Sequence, residues 1–185
     1  MSKTEYTGIS KRLSYVLRHR PDSIGVQLDD AGWVEIEQLL DGLALHGMAI
    51  SLELLTEVVD TNPKQRFEFS SDRSLLRARQ GHSVSVDLGY EPVVSPERLF
   101  HGTPISSLDS ILKTGLQKRR RHHDHMSTDR QLMLEVDRSR GTQLLNHIKS
   151  GQMQTDGYDF YVTGNNVWLT DHVPPEYLSQ ATADQ

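Results

Sequence analysis

The sequence predicts an α+β fold in two lobes. Three observations lead there. The first half carries three amphipathic helical stripes followed by alternating strand-like segments. The second half mixes strands and helices without βαβ alternation. Between them, Gly89, Pro92 and Pro96 punctuate the chain. A length of 185 residues suits one large domain or two small lobes sharing an interface. The expected division is residues 1–92 and 93–185.

Ile9, Leu13, Val16 and Leu17 fall on one helical stripe. Thr7 or Ser10 is the expected cap, and Pro21 helps end the helix, which puts Arg18 and His19 in its last turn. A second helix follows from Ile36, Leu39, Leu40 and Leu43. A third follows from Leu52, Leu55, Val58 and Val59, entered by Ser51 and stopped before Pro63. Phe67 and Phe69 alternate with polar neighbours and predict a strand. A second strand is expected over Leu75–Arg79, with the turn-like Ser70–Ser74 between them. Three short helices and a hairpin is the pattern of a winged-helix unit. In the second half, Leu99–Phe100 predicts a short strand running into His101-Gly102-Thr103. Ile105, Leu108, Ile111 and Leu112 share the face of a short helix, with Gly115 as its C′ residue. Residues 128–138 are expected to be helical. Leu144–Ile148, Tyr158–Thr163 and Val167–Thr170 are expected to be strands, in an order that excludes a Rossmann sheet.

Composition narrows the chemistry. There are no cysteines, so disulfides, thiolate zinc sites and cysteine nucleophiles are excluded. No apolar run approaches 18 residues, and the N-terminal MSKTEYTGIS has no signal-like segment, so no membrane partner and a cytoplasmic location are expected. The net charge of −5 argues weakly against a general nucleic-acid binder. Distribution matters more. Between Pro21 and Pro63 there is no Lys or Arg, while basic residues gather at Lys11–Arg20, Lys64–Arg79 and Lys118–Arg121. Those runs are either solvated faces or, if they converge, a local anion site.

Neither G-x-G-x-x-G nor G-x-x-x-x-G-K-[ST] occurs. Three other clusters stand out. In Leu17-Arg18-His19-Arg20-Pro21, an Arg-His pair at a helix end suits a phosphate, because guanidinium offers forked donors and imidazole can move a proton. The plainer alternative is a basic helix C-terminus favoured by the macrodipole. Arg119-Arg120-Arg121-His122-His123-Asp124-His125 suits a metal, a phosphate or merely a polar loop. Gln80-Gly81-His82-Ser83, after Arg77 and Arg79, adds polar groups that suit a phosphodiester. Asn165–Asn166 before Val167-Trp168-Leu169 reads as a hairpin turn.

Together these clusters resemble the NAD-dependent RNA 2′-phosphotransferase family, whose yeast members complete tRNA splicing. The likeness rests on Ser10-Lys11-Arg12-Leu13-Ser14-Tyr15-Val16-Leu17-Arg18-His19 with Pro21, Gly32-Trp33-Val34, and Lys64-x-Arg66-Phe67. It continues through Gln80-Gly81-His82-Ser83 and Leu99-Phe100-His101-Gly102-Thr103. It closes on Arg121-x-His123-x-His125-x-Ser127 and Asn165-x-Val167-Trp168-Leu169-Thr170. The resemblance implies a winged-helix RNA lobe followed by an ADP-ribosyltransferase-like NAD lobe. It assigns an Arg-His-Arg-Arg catalytic set to Arg18, His19, Arg66 and Arg121. It sets His101, Gly102 and Thr103 against NAD, with Ser127 and Asn165 nearby. No metal is implied. The reaction it implies has two steps. The RNA 2′-phosphate attacks the nicotinamide-bearing ribose carbon of NAD and nicotinamide leaves. The ribose 2″-hydroxyl then attacks the phosphorus, leaving 2′-hydroxyl RNA and ADP-ribose 1″,2″-cyclic phosphate. The implied partner is a tRNA-like RNA carrying a 2′-phosphate, and a monomer is expected.

The sequence departs from the family pattern at three places. Asp124 stands where an apolar residue is usual, and strand alternation with His123 and His125 would turn it outward. Arg79 replaces a usual Asn. A Val-Gly-x-Arg-x-Gly-Lys-Pro stretch is degraded to Val136-Asp137-Arg138-Ser139-Arg140-Gly141-Thr142-Gln143. Three rival readings remain at this stage. One is a winged-helix nucleic-acid binder without turnover. Another is a metal phosphoesterase using His101, His123, Asp124 and His125. The third is an enzyme that ADP-ribosylates terminal phosphates of RNA or DNA.

Overall fold

A computed structural model of the chain describes residues 3–117, 124–129 and 143–180. It is a mixed α+β structure whose sheets are small and antiparallel. The chain divides into two compact units, Met1–Gly89 and Tyr90–Gln185. Among the described residues no helix is long and apolar enough to cross a membrane.

The first unit runs α1 (Lys3–Arg18), a 3-10 turn (Pro21–Ile24), β1 (Val34–Glu35), α2 (Ile36–Leu45), α3 (Leu52–Asp60), β2 (Phe67–Phe69) and β3 (Leu75–Ala78). Its sheet has the order β1-β3-β2, with Val34 opposite Leu76 and Phe67 opposite Ala78. The helical stripes and the Phe67/Leu76/Ala78 face of the sheet bury one another in a single apolar cluster. Ser51 caps α3, accepting from the Leu54 amide at 3.2 Å. The hairpin turn closes on Asp72. Its carboxylate accepts from the Ser70 and Ser74 hydroxyls and the Ser74 amide, which holds its pKa down at about 2.

One expectation fails here. Neither Thr7 nor Ser10 caps α1, which starts at Lys3. The apolar stripe extends back through Tyr6, three residues before Ile9, and Tyr6 packs against the core. Ser10 instead lies inside the helix, where its hydroxyl accepts from Asn62 Nδ2 at 2.9 Å and ties α1 to the segment after α3.

The second unit contains β4 (Leu99–Pro104), a 3-10 turn (Ile105–Ser107), α4 (Leu108–Thr114), β5 (Leu116–Gln117), β6 (Asp124–Met126) and β7 (Gln143–Ile148). It continues with α5 (Ser150–Thr155), β8 (Tyr161–Val162), β9 (Trp168–Thr170), β10 (His172–Val173), a 3-10 turn (Pro175–Tyr177) and β11 (Leu178–Gln180). The sheets are β11-β7-β4, β6-β9-β8 and β10-β5. A bridge between Phe100 and Ser127 links the first two. Leu99, Met126, Ile148, Met153, Phe160 and Val173 form the core beneath them.

His101-Gly102-Thr103 lies within β4 rather than beyond its end. Tyr158–Thr163 pairs only over Tyr161–Val162: the Tyr158 amide donates to the Met153 carbonyl, the Phe160 carbonyl accepts from the Val93 amide, and Thr163 turns its hydroxyl into the β8–β9 turn, where it accepts from the Val167 amide. The expected α4 stripe is only partly buried, with Ile105 and Leu112 exposed. The helix expected over 128–138 and the degraded stretch 136–143 fall almost wholly outside the described residues.

Candidate active site

The polar side of α1 makes the site in the first unit. Thr7, Lys11, Ser14, Tyr15 and Arg18 recur at helical spacing, away from the core stripe, and line a cleft of about 820 Å³. Its other wall comes from α3 and the segment after it: Glu57, Val58, Thr61, Asn62, Pro63 and Arg66. His19, one residue past the helix end, lines it too. Three of the four expected catalytic residues thus share one cleft. The fourth, Arg121, lies outside the described residues, as do His122 and His123.

The Gln80-Gly81-His82-Ser83 motif explains how the helix end is held. Gly81 adopts φ +85°, which favours glycine. His82 is fully buried, and a Cβ on Gly32 would stand 3.5 Å from its Nε2. The Ser83 and Val84 amides then donate to the Arg18 carbonyl at 2.8 and 3.3 Å. Ser83 Oγ stands 2.9 Å from His19 Nδ1, which tethers the ring by that nitrogen. Gly32-Trp33-Val34 serves the same scaffold. Asp29 Oδ1 accepts from the Ala31 and Trp33 amides, and the Arg77 guanidinium sits 4.3 Å from the Trp33 ring centroid.

Arg66 precedes β2, following Gln65 at φ +42°. Burial holds its pKa below the usual arginine value, a sign that the guanidinium is partly stripped of water, although an arginine stays charged. Arg18 Nη2 reaches the Arg66 carbonyl at 3.5 Å, which sets the two side by side. Arg79 behaves differently. Its Nε donates to the Phe67 carbonyl at 3.4 Å and its Nη1 lies 3.5 Å from Glu68, which also pairs with Arg77 at 2.7 Å. The Asn-to-Arg departure is therefore taken up along the hairpin.

In the second unit, His101 and Ser127 lie on neighbouring backbone. Phe100 and Ser127 exchange backbone hydrogen bonds at 2.8 and 3.0 Å. His101 Nδ1 meets the His125 carbonyl at 2.8 Å. Because a carbonyl only accepts, Nδ1 carries the proton and Nε2 is the ring's other working atom. Gly102 pairs with Leu145 in the ladder and offers no side chain. Thr103 is buried, its hydroxyl accepting from Asn146 Nδ2 at 2.7 Å. The Ser127 hydroxyl caps the Asp129 amide at 3.0 Å. Asn165 lies in the β8–β9 turn, where its Oδ1 accepts from the Thr163 hydroxyl at 2.6 Å. Asp124 stands opposite Thr170 in the β6–β9 ladder.

Sequence reasoning read Ser83 only as one polar group of the Gln80–Ser83 motif and Lys11 only as part of a basic run, and gave no individual role to Tyr15 or Asn146. Lys11 and Tyr15 were detectable as the polar complement of the Ile9–Leu17 stripe. Asn146 carried no local signal, because its role depends on β7 lying beside β4.

Two half-buried arginines and a tethered histidine on one cleft have the chemistry that suits a phosphorylated ligand. Comparison with known proteins gives the particular kind. The model of the RNA 2′-phosphotransferase, Tpt1 / KptA family matches residues 3–172, and the chain belongs to that family of enzymes. Similar proteins include the probable RNA 2′-phosphotransferase of Nostoc punctiforme, 46% identical over 180 residues, 97% of this chain and 99% of that one. That of Flavobacterium johnsoniae is 42% identical over 178 residues, covering 96% and 98%. That of Pseudomonas aeruginosa is 43% identical over 182 residues, covering 98% and 100%.

Proposed function

We propose that this chain removes an internal 2′-phosphate from RNA in an NAD-dependent reaction. Its residues 1–92 would be the winged-helix RNA lobe and residues 93–185 an ADP-ribosyltransferase-like NAD lobe. The element order α1-β1-α2-α3-β2-β3 with the sheet order β1-β3-β2 supports the first assignment. The observation that carries the function is the meeting of Arg18, His19 and Arg66 on one cleft.

The residues fit the chemistry. A phosphate dianion needs no general base to act as a nucleophile. It does need its charge offset, since it must approach an anionic pyrophosphate. Arg18 and Arg66 supply forked, charge-assisted donors, and the partial burial of Arg66 strengthens its pull. Fixed donors of this kind also stabilise the charge that grows on phosphoryl oxygens during transfer. His19 moves or orients a proton near neutral pH, its ring set by Ser83. Arg121 would complete the set. NAD, when bound, supplies the ribosyl carbon that accepts the phosphate and the hydroxyl that later displaces the RNA oxygen. His101, Gly102, Thr103, Ser127 and Asn165 would hold it. The ring of His101 is already fixed by the His125 carbonyl, and the bare backbone at Gly102 permits close approach.

Three alanine variants test the assignment against a control. Arg18→Ala, His19→Ala and Arg66→Ala are each expected to lower phosphate removal by about 100-fold or more, with circular dichroism unchanged. Arg79→Ala, at an equally basic position committed to Glu68, is expected to lose far less. Equal losses at Arg79 and Arg66 would overturn the assignment.

A further inference from the structure

The cleft exceeds what a single phosphoryl group requires. At about 820 Å³ it falls among pockets that enclose whole drug-sized ligands, roughly 300–1,000 Å³. Arg18, His19 and Arg66 account for one end. Among the cleft residues that have no part in the chemistry above, Lys11 and Tyr15 both project from α1.

Lys11 lies seven residues before Arg18, about 10 Å along the helix axis and on the same side. Among the described residues no carboxylate pairs with Lys11, whereas Arg20, Arg73, Arg77 and Arg79 each have one. Tyr15 stands between Lys11 and Arg18, 42% exposed although it lines the cleft. The Arg12 guanidinium lies 5.8 Å from its ring centroid. An exposed aromatic ring beside an ammonium that no described carboxylate neutralises is the combination that grips a single-stranded nucleotide, with base on ring and phosphate on cation. The far end of the cleft carries the opposite charge. There Glu57 accepts a hydrogen bond from Tyr6, and its carboxylate would repel a phosphodiester. The favourable path therefore runs from Arg18 to Lys11 and stops, a length that suits one nucleotide.

We infer that Lys11 and Tyr15 form a subsite for the single nucleotide next to the 2′-phosphorylated residue, Lys11 on its phosphate and Tyr15 beneath its base. This deepens the reading of the cleft as the RNA site and rests on it. The subsite would make the enzyme prefer a 2′-phosphate that is flanked within an RNA strand over the same group on an isolated nucleoside.

Equilibrium binding without NAD tests this, using a trinucleotide with a central 2′-phosphate and a nucleoside 2′-monophosphate. The folded protein is expected to bind the trinucleotide about tenfold tighter or more. Lys11→Ala and Tyr15→Ala should each move that ratio toward one, while Tyr15→Phe should keep it. Lys11→Ala should also lower the slope of log affinity against log salt by about 0.7. Equal affinity of the unaltered protein for both ligands, or a ratio unchanged in Lys11→Ala and Tyr15→Ala, would overturn the subsite. The proposed function fails separately. A retained trinucleotide preference without NAD-dependent phosphate removal would sink that function and leave the subsite standing. Phosphate removal without the preference would do the reverse.

Discussion

At the scale of single residues, the clearest dependence is that of His19 on Ser83. The ring has one nitrogen 2.9 Å from the serine hydroxyl, and Ser83 is itself placed by its amide on the Arg18 carbonyl. Ser83→Ala should lower kcat about tenfold, change KM little and move the acidic limb of the rate–pH profile, while Ser83→Thr should preserve both. A purely structural serine would leave the pH profile where it was. The sequence motifs pointed to Arg18, His19 and Arg66, and these do share a cleft. What the motifs did not show was the division of labour among the arginines. Arg79 and Arg66 look alike in a basic run, and only the pairing of β2 with β3 brings Arg79 and Glu68 together. Likewise, Asn146 becomes a partner of Thr103 only because β7 lies beside β4.

Elements with a full periodic stripe were legible, and short ones were not. The helices α2 and α3 and the β2–β3 hairpin follow from apolar spacing and turn residues. The strands β5, β10 and β11 span two or three residues each, too few for alternation to register, and β8 covers only part of the strand expected over Tyr158–Thr163. The start of α1 was missed because Tyr6 extends the stripe without being a plainly apolar residue. Capping and backbone conformation make the element scale testable. Ser51→Ala removes the oxygen that accepts from Leu54 and should cost about 1 kcal/mol in urea unfolding. Gly115 ends α4 at φ +74°, ψ −176°, a conformation open essentially to glycine, and a Cβ there would collide with the Val173 carbonyl across the β5–β10 pair. Gly115→Ala should therefore cost at least about 2 kcal/mol in the same measurement, and a loss under about 0.5 kcal/mol would contradict that backbone assignment.

At the scale of the whole molecule, two compact units each carry their own apolar cluster. The stability of the whole fold also carries a pH effect from His147 on β7. Burial, with Arg98 and Lys149 nearby, lowers its pKa below the ordinary 6.5. The folded state therefore favours the neutral ring. Between the lowered folded pKa and about 6.5, the unfolded chain binds more protons, so this contribution is complete above about 6.5 and drains as pH falls toward the folded value. Urea midpoints measured from pH 7.5 down to 5 should decline, and His147→Gln should flatten part of that decline. An identical decline in the variant would assign it to other groups.

The account as a whole stands on one measurement. An RNA with a single internal 2′-phosphate is incubated with the protein in EDTA, with and without NAD, and followed by gel and mass spectrometry. Loss of the phosphate only with NAD, accompanied by ADP-ribose cyclic phosphate and nicotinamide, is the predicted result. Phosphate loss that ignores NAD and returns only with a divalent metal would contradict it, as would ADP-ribose added to RNA ends with the internal phosphate left in place.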